Sequence, residues 1–285
     1  MSTNQPTVTL TLDFDASIFW MINGGMDAGT ISRGLYEANV GVQRILDLCD
    51  RLEVASTWFT PGHTADTHPA LVERIAAAGH EIAGHGYAHE KESPGGRDET
   101  RALLRKTGDA IERATGRRPR GERATWATSA ATFEAMIDEG YTYDSSLMDH
   151  CRPHWVQVND VVRLDGPNVL GPELDLVEIS PTFVTSDMAY FEFNGYGTPA
   201  LTAGLRNPRD VEAIWRDEFD YIRDQGTDQE PLVLMLHPQA IGRNSRIMML
   251  ERFLTYCRES GARFVTTEQI ADEFRAEAAP PGGRS

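Results

Sequence analysis

Thr7-Val8-Thr9-Leu10-Thr11-Leu12-Asp13-Phe14-Asp15-Ala16 is the stretch from which the rest of this chain can be read. Val8, Leu10, Leu12 and Phe14 alternate with Thr7, Thr9, Thr11 and Asp13, the period-two pattern of a β-strand. The same period puts Asp13 and Asp15 on one face, opposite the apolar one. In an α/β barrel that face points inward, and the C-terminal ends of the strands carry the active site. A turn-forming aspartate at a strand end is the plainer reading of either residue alone. Two carboxylates on one inward face are costly unless cations accompany them, which favours a site.

Outward from this strand, helix and strand patterns alternate. Val42, Ile45, Leu46, Cys49 and Leu52 have helical spacing, and 55–59 reads as a short buried strand ended by Pro61-Gly62. Leu71, Val72, Ile75 and Ala76 predict a helix stopped by Gly79, and 80–84 the next strand. A helix over 98–115 closed by Gly116, a strand over 120–124, a helix over 129–139 closed by Gly140 and a strand over 141–145 continue the rhythm. Pro208 after an Asn207 cap opens a helix ending near Gly226. The apolar run 232–236 predicts a strand buried on both faces. Ile247, Leu250, Phe253, Leu254 and Cys257 predict another helix, and 263–266 the last strand. The alternation implies a parallel sheet with helical crossovers, either a barrel or an open sheet. Residues 150–206 interrupt it and are expected to form an irregular excursion of loops around the site. The expected organisation is a flexible N-terminus over 1–6, one catalytic domain over 7–275 and a disordered tail over 276–285.

Bulk properties narrow the classes. The chain has 285 residues, 40% of them hydrophobic and 25% charged, as in an ordinary globular protein. It has no run of about 18 apolar residues, so no transmembrane helix is expected. Residues 1–6 lack the basic-then-apolar layout of a signal peptide, and a cytoplasmic location is expected. The formal net charge is −16, and Lys91 and Lys106 are the only lysines. Such acidity argues against nucleic acid or an anionic membrane as partner. Cys49, Cys151 and Cys257 are odd in number and scattered, so disulfides are not expected and all three are read as buried packing residues.

The chemistry-bearing residues cluster at predicted strand ends. His85 and His89 stand at i and i+4 in Gly84-His85-Gly86-Tyr87-Ala88-His89. On a helix this spacing puts both rings on one face. Two imidazoles and one carboxylate can hold a catalytic metal and leave a position open, with the second carboxylate available as a base. A carboxylate of pKa near ~4 cannot usefully deprotonate bulk water at about 15.7, whereas a metal can bring water to roughly 7. His237, after 232–236, is either a capped core histidine or a general acid sharing the mouth of the sheet with Asp15 and His85. The second is favoured. Arg123, at the end of its strand, is placed to pair with Asp13. Asp144 either tethers His237 or caps the Ser145-Ser146 turn. Trp126 is a candidate pocket wall, although an aromatic there more often packs. Together these residues nominate a metal-dependent hydrolase. A phosphoesterase is disfavoured because no basic phosphate-clamping cluster accompanies them.

Taken together, Thr11-Leu12-Asp13-Phe14-Asp15-Ala16, His85-Gly86-Tyr87-Ala88-His89, Arg120-Gly121-Glu122-Arg123-Ala124-Thr125-Trp126 and Leu236-His237-Pro238 resemble the motifs of the polysaccharide deacetylase family. The resemblance spans about residues 7 to 270. It implies a distorted (β/α)7 barrel with parallel strands and hydrolysis of non-peptide C–N bonds. It implies that Asp15, His85 and His89 bind one divalent metal, that Asp13 is the base, His237 the acid, and that Arg123 orients Asp13. The metal expected is Zn2+, with Co2+, Ni2+ and Mn2+ also suited to the donor set. Several segments, Tyr143-Asp144-Ser145-Ser146 among them, more closely resemble a subgroup of peptidoglycan-deacetylase-like and cyclic-amide, imide or allantoinase-like enzymes. That resemblance implies a homo-oligomer whose subunits help enclose the site. Its acidic loop is matched by Thr185-Ser186-Asp187-Met188-Ala189-Tyr190, with Ser186 replacing one acid and Asp187 a further substrate-binding candidate. Thr125 stands where the family often has proline, and Glu122 is an unusual acid at the site's edge. The expected substrate is a small linear or cyclic amide or imide. The alternatives are an N-acetylated sugar of peptidoglycan or chitooligosaccharide type, or a non-catalytic carbohydrate-binding relative.

Overall fold

The structure, a computed structural model, describes residues 5–91, 95–126, 128–192, 205–226, 229–279 and 281. Its first strand, β1 (Thr7–Asp13), is buried along its whole length. Val8, Leu10, Leu12 and the following Phe14 pack outward against Ile45, Leu48, Trp215 and Phe253 of the surrounding helices. Thr9 and Thr11 face inward and are satisfied there. Thr11 Oγ1 donates to the Leu234 carbonyl at 2.7 Å, and Thr9 Oγ1 lies 3.5 Å from Thr267 Oγ1. The alternating pattern therefore separates a hydrocarbon layer outside from a hydroxyl-lined interior.

The remaining strands are β2 (Ser56–Thr60), β3 (Glu81–Gly84), β4 (Gly121–Glu122), β5 (Tyr143–Asp144), β6 (His154–Val161), β7 (Val169–Glu178), β8 (Pro231–Leu236) and β9 (Arg263–Phe264). Neighbours run in the order β6-β7-β5-β4-β3-β2-β1-β8, with β9 also on β1. All pairs are parallel except β6 with β7. The strands β1 to β5, β7 and β8 form the distorted seven-stranded α/β barrel expected. The ladder does not close between β7 and β8. On the β8 side of that gap Ser186 makes an isolated parallel bridge to Met235. Asp187 N also donates to the Met235 carbonyl at 3.4 Å.

Residues 150–206 differ from the expectation. Instead of loops, they begin with a long antiparallel hairpin, β6 and β7, and β7 supplies one of the barrel strands. Its pattern was obscured because only its C-terminal end is buried, while Val169, Leu170 and Glu173 remain outside the core. Residues 193–204 of the excursion lie outside the described residues. The helix Thr267–Glu277 runs into the stretch read as tail, and residues 1–4, 280 and 282–285 also lie outside the description.

One helical run reaches the site from the side. Ala28–Tyr36 passes through a π-helical turn, Glu37–Gly41, into Val42–Leu52. Close approach of backbone explains two glycines in it. A Cβ on Gly34 would stand 2.2 Å from the Ala16 carbonyl oxygen, and one on Gly41 2.3 Å from that of Pro238. Cys49 and Cys257 are buried as expected, but Cys151 is exposed beside the start of the hairpin. Among the described residues, no helix is long and apolar enough to cross a membrane.

Candidate active site

Side chains from four strand ends and two loops converge at the C-terminal mouth of the barrel, as parallel strands of this architecture allow. Asp13 ends β1, Asp15 follows two residues later, His85 follows β3, Arg123 follows β4 and His237 follows β8. Asp15 is fully buried, and neither carboxylate oxygen has a hydrogen-bond partner among the described residues. Its Oδ1 lies 3.6 Å from His85 Nε2 and 3.8 Å from His89 Nε2. An isolated carboxylate in a dry interior is unfavourable. Burial, the largest influence on Asp15, pushes its carboxyl above the ordinary value despite the nearby imidazoles. Potential ligand atoms of Asp15, His85 and His89 all lie within 4.8 Å of one another. This donor set and its unpartnered oxygens fit a divalent cation.

The histidines are prepared as lone-pair donors. His85 Nδ1 lies 2.6 Å from the Arg123 carbonyl, which can only accept. The proton therefore sits on Nδ1 and leaves Nε2 free toward Asp15, a common orientation for a metal-ligating imidazole. Burial lowers the pKa of His85 and brings that of His89 to about 4, so both rings are neutral near pH 7. They do not share a helix face, as the i,i+4 spacing had suggested. The segment after β3 is irregular, with Gly86 at φ 65° and His89 itself at φ 53°. The ring centroids are nevertheless 5.1 Å apart at 89°.

Two acids that the sequence left without a role hold this loop. Glu122 Oε1 accepts from Gly86 N at 2.6 Å. Glu90 accepts from Tyr87 N at 3.1 Å and Ala88 N at 2.9 Å. Three consecutive amides between the histidines thus point at carboxylates. Thr125 Oγ1, at the position where proline is frequent in the resembling family, donates to the Glu90 carbonyl at 2.7 Å and ties the two loops together. Sequence reading also missed Glu37, for which an isolated acid in a helical pattern gave no signal. It is fully buried, and its Oε2 accepts from Ala16 N at 2.7 Å beside the Asp15 turn. Burial, then the nearby Asp15 charge, raises its pKa well above the ordinary value.

Opposite charges alternate across the mouth. Arg123 Nη1 donates to Asp13 Oδ1 at 2.6 Å, Asp13 Oδ2 lies 3.5 Å from His237 Nε2, and His237 Nδ1 lies 2.9 Å from Asp187 Oδ1. Arg123 is itself fixed through Nε to the Ser145 carbonyl at 3.0 Å and Nη2 to Ser145 Oγ at 2.9 Å. Burial disfavours the Asp13 charge, but Arg123, His85 and His237 outweigh it and hold the carboxyl below its ordinary value. Burial likewise works against protonated His237, yet Asp187 and then Asp13 raise its pKa to about 9. Asp187 also accepts from His237 N at 2.9 Å, so it fixes both ring and backbone from behind.

That arrangement decides between the readings of Asp144. Its carboxylate accepts from Ser146 N at 3.1 Å and Ser146 Oγ at 2.7 Å, capping the turn, while Asp187 tethers His237. Trp126 is 5% exposed and packs with Leu104, Phe133 and Met136, a core position next to Gly86. Asp13, Asp15, His85, His89, Arg123 and His237 are brought together. Asp144, Asp187 and Trp126 support their surroundings.

Comparison with known proteins agrees with this architecture. The family profile described as polysaccharide deacetylase matches residues 2–143. A Helicobacter pylori protein named peptidoglycan deacetylase is 32% identical over 282 residues, covering 94% of this chain and 95% of that protein. A solved Mycobacterium smegmatis structure assigned to the polysaccharide deacetylases is 30% identical, with TM-score 0.84 and coverage of 100% and 96%. The Puue allantoinase structure shares the fold at TM-score 0.78 and 22% identity, covering 97% of this chain and 93% of its own.

Proposed function

Because the chain belongs to the polysaccharide deacetylase family, we propose that it is a metal-dependent hydrolase of a non-peptide C–N bond, acting on a small linear or cyclic amide or imide. The observation that carries this reading is the buried Asp15 carboxylate, with no hydrogen-bond partner among the described residues on either oxygen and flanked by two neutral imidazoles. Asp15, His85 and His89 would hold the metal, most simply zinc, with Co2+, Ni2+ or Mn2+ as other candidates. Bound there, the metal supplies Lewis acidity toward the carbonyl and toward water.

The chain's own groups divide the proton work. Asp13, kept ionised and aimed by Arg123, takes a proton from the attacking water. His237, kept protonated by Asp187, delivers its Nε2 proton to the departing nitrogen. The water oxygen forms the new C–O bond as C–N breaks, leaving a carboxylate together with an amine from an amide substrate or an amide from an imide. Retention of both an oriented base and an oriented acid favours catalysis over a binding module, which needs neither. A second reading, de-N-acetylation of a carbohydrate, is favoured by the name of the Helicobacter pylori relative.

The test compares kcat/KM for a cyclic imide or hydantoin with that for a chitooligosaccharide at identical metal loading. Preference for the imide or hydantoin is the expected result. Preference for the oligosaccharide would overturn the small-substrate reading and establish the second one.

A further inference from the structure

The strands β4, β5 and β7 end side by side on three acids. Glu122 is in register with Asp144, and Asp144 with Glu178. Register neighbours on parallel strands point to the same face. All three side chains are fully buried. Glu122 holds the loop after β3, as described above, whereas the carboxyl groups of Asp144 and Glu178 lie within hydrogen-bond reach of each other. Asp144 accepts through both oxygens, from Ser146 N and Ser146 Oγ, and Glu178 Oε1 accepts from Leu147 N at 3.1 Å. Glu178 Oε2 has no donor among the described residues. The nearby charges do not reach it. Arg123 is taken up by Asp13 and Ser145. His154, opposite Glu178 on β6, turns Nε2 toward Asp149 at 3.5 Å and donates from Nδ1 to the Arg152 carbonyl at 3.0 Å. The Tyr141 hydroxyl donates to the Leu104 carbonyl at 3.4 Å. The helices Arg97–Thr115 and Ala130–Asp138 bring Leu104, Phe133 and Met136 against Leu147 and Leu176 of this layer. Asp149 and Glu122 add only negative charge.

Two carboxylates facing each other in dry surroundings strongly disfavour ionising both. One proton between them removes the repulsion and gives Oε2 a bond to make. The two Ser146 donors favour the charge on Asp144, so the proton belongs to Glu178. Burial, then the Asp144 charge, accordingly raises the Glu178 pKa well above the ordinary value. The pair is connected to the chemistry through the turn it holds. Ser146 Oγ accepts from Ala124 N at 2.8 Å, and Ser145 Oγ donates to the Ile179 carbonyl at 2.8 Å. The carbonyl and Oγ of Ser145 both accept from Arg123, whose Nη1 aims Asp13. We propose that Glu178 is a positioning residue: its neutral carboxyl donates from Oε2 to the Asp144 carboxylate, and the joined pair holds the turn 145–147 that fixes Arg123. Only the effect on turnover rests on the hydrolase reading above.

Glu178→Gln matches the neutral acid in size and offers an Nε2 proton in place of the one on Oε2. The infrared difference spectrum of the full chain, wild type minus Glu178→Gln at neutral pH, should contain a carboxylic-acid C=O band. Its absence would overturn the proposal. Thermal melting adds a sign. The unfolded chain releases this proton above about pH 4.3, whereas the folded chain keeps it. Wild-type stability therefore falls with rising pH relative to a chain that lacks the group. The Tm of Glu178→Gln should gain on that of the wild type between about pH 5 and about pH 8, and a constant difference would overturn the proposal. So would a Gln variant that does not fold, since the amide can make every bond assigned to the acid. Turnover is measured with whichever of the hydantoin and the chitooligosaccharide is hydrolysed. Glu178→Gln should keep the wild-type kcat, whereas Glu178→Ala should lose about 10- to 100-fold in kcat with KM and bound metal unchanged. Glu178→Asp, whose reach is shorter, replaces the Ala variant if circular dichroism shows that the latter does not fold. Equal kcat in the Gln and Ala variants would overturn the positioning role. If the wild type hydrolyses neither substrate, the hydrolase reading fails, and the infrared and melting results still decide whether the acids share a proton.

Discussion

Asp13 and His237 lie 3.5 Å apart and are driven to opposite protonation states by their partners on the far sides. Asp13→Asn keeps the ligand set and the size of the side chain while removing the base. It is expected to retain metal, measured by elemental analysis, and to lose about 10²- to 10⁴-fold in turnover. Wild-type turnover in that variant would assign the base elsewhere. The pH profile follows from the same pair. Activity requires protonated His237 and ionised Asp13, so it should fall as pH rises through about 9. Its acid limb should lie below the ordinary aspartate value, because Arg123 and the imidazoles overcome burial at Asp13. Asp187→Asn removes the largest contribution raising His237. The alkaline limb of kcat against pH should then move toward neutrality, and an unmoved limb would remove His237 from the acid's role.

At the scale of elements, the loop after β3 matters more than the spacing of its two histidines. His89 adopts a left-handed backbone that L-residues rarely choose, and such conformations persist where surrounding contacts over-determine them. Glu122 and Glu90, accepting from the amides of residues 86 to 88, are those contacts. Gly84 tests this from outside the ligand set. A Cβ there would stand 1.9 Å from Glu122 Oε2 and 3.0 Å from its Cδ, so Gly84→Ala must displace the carboxylate. We expect metal affinity, read by chelator competition, to weaken by about 10- to 100-fold, the usual effect of disturbing groups behind the ligands. Unchanged affinity would show that the loop holds its shape without Glu122. The π-helical turn at Glu37–Gly41 is a comparable device, since it brings Glu37 under Ala16, which has φ 50°.

Across the whole molecule, the site ties together segments distant in the chain, from β1 through β8. A cation bound by Asp15, His85 and His89 should therefore stabilise the folded state, because the unfolded chain does not bring these ligands together. At a free metal concentration about 100 times Kd the gain is about 2.7 kcal/mol. Calorimetry should show Tm rising with added zinc, and His85→Ala should remove the rise. A shift that persists in His85→Ala would place the metal elsewhere. The core away from the site sets the baseline. Trp215, wholly buried among Phe253 and the strand residues, should cost about 3–5 kcal/mol when replaced by Ala, with little change in metal affinity.

Local pattern was enough to identify β1, β2, β3 and β8 and six of the twelve α-helices among the described residues, because each repeats one period long enough to read. Glycines at 79, 116 and 140 end helices with the positive φ that glycine tolerates, again a local property. The motif residues Asp13, Asp15, His85, His89, Arg123 and His237 were legible for the same reason: each sits at or just past the end of a predicted strand. The hairpin of β6 and β7 was not legible, because burial of only part of β7 breaks the alternation that announces a strand. Neither was the partner of His237, since Asp144 and Asp187 are both aspartates near the mouth. Register alone distinguishes them: the Ser186 bridge to Met235 carries Asp187 behind the imidazole, while β5 leaves Asp144 against Ser146. Glu37, Glu90 and Glu122 acquire their roles only through backbone amides brought within hydrogen-bond reach by the fold. Sequence determines which side chains lie at strand ends, because period and caps are local, whereas contacts made across strand order and through turns of unusual φ exist only once the barrel is assembled.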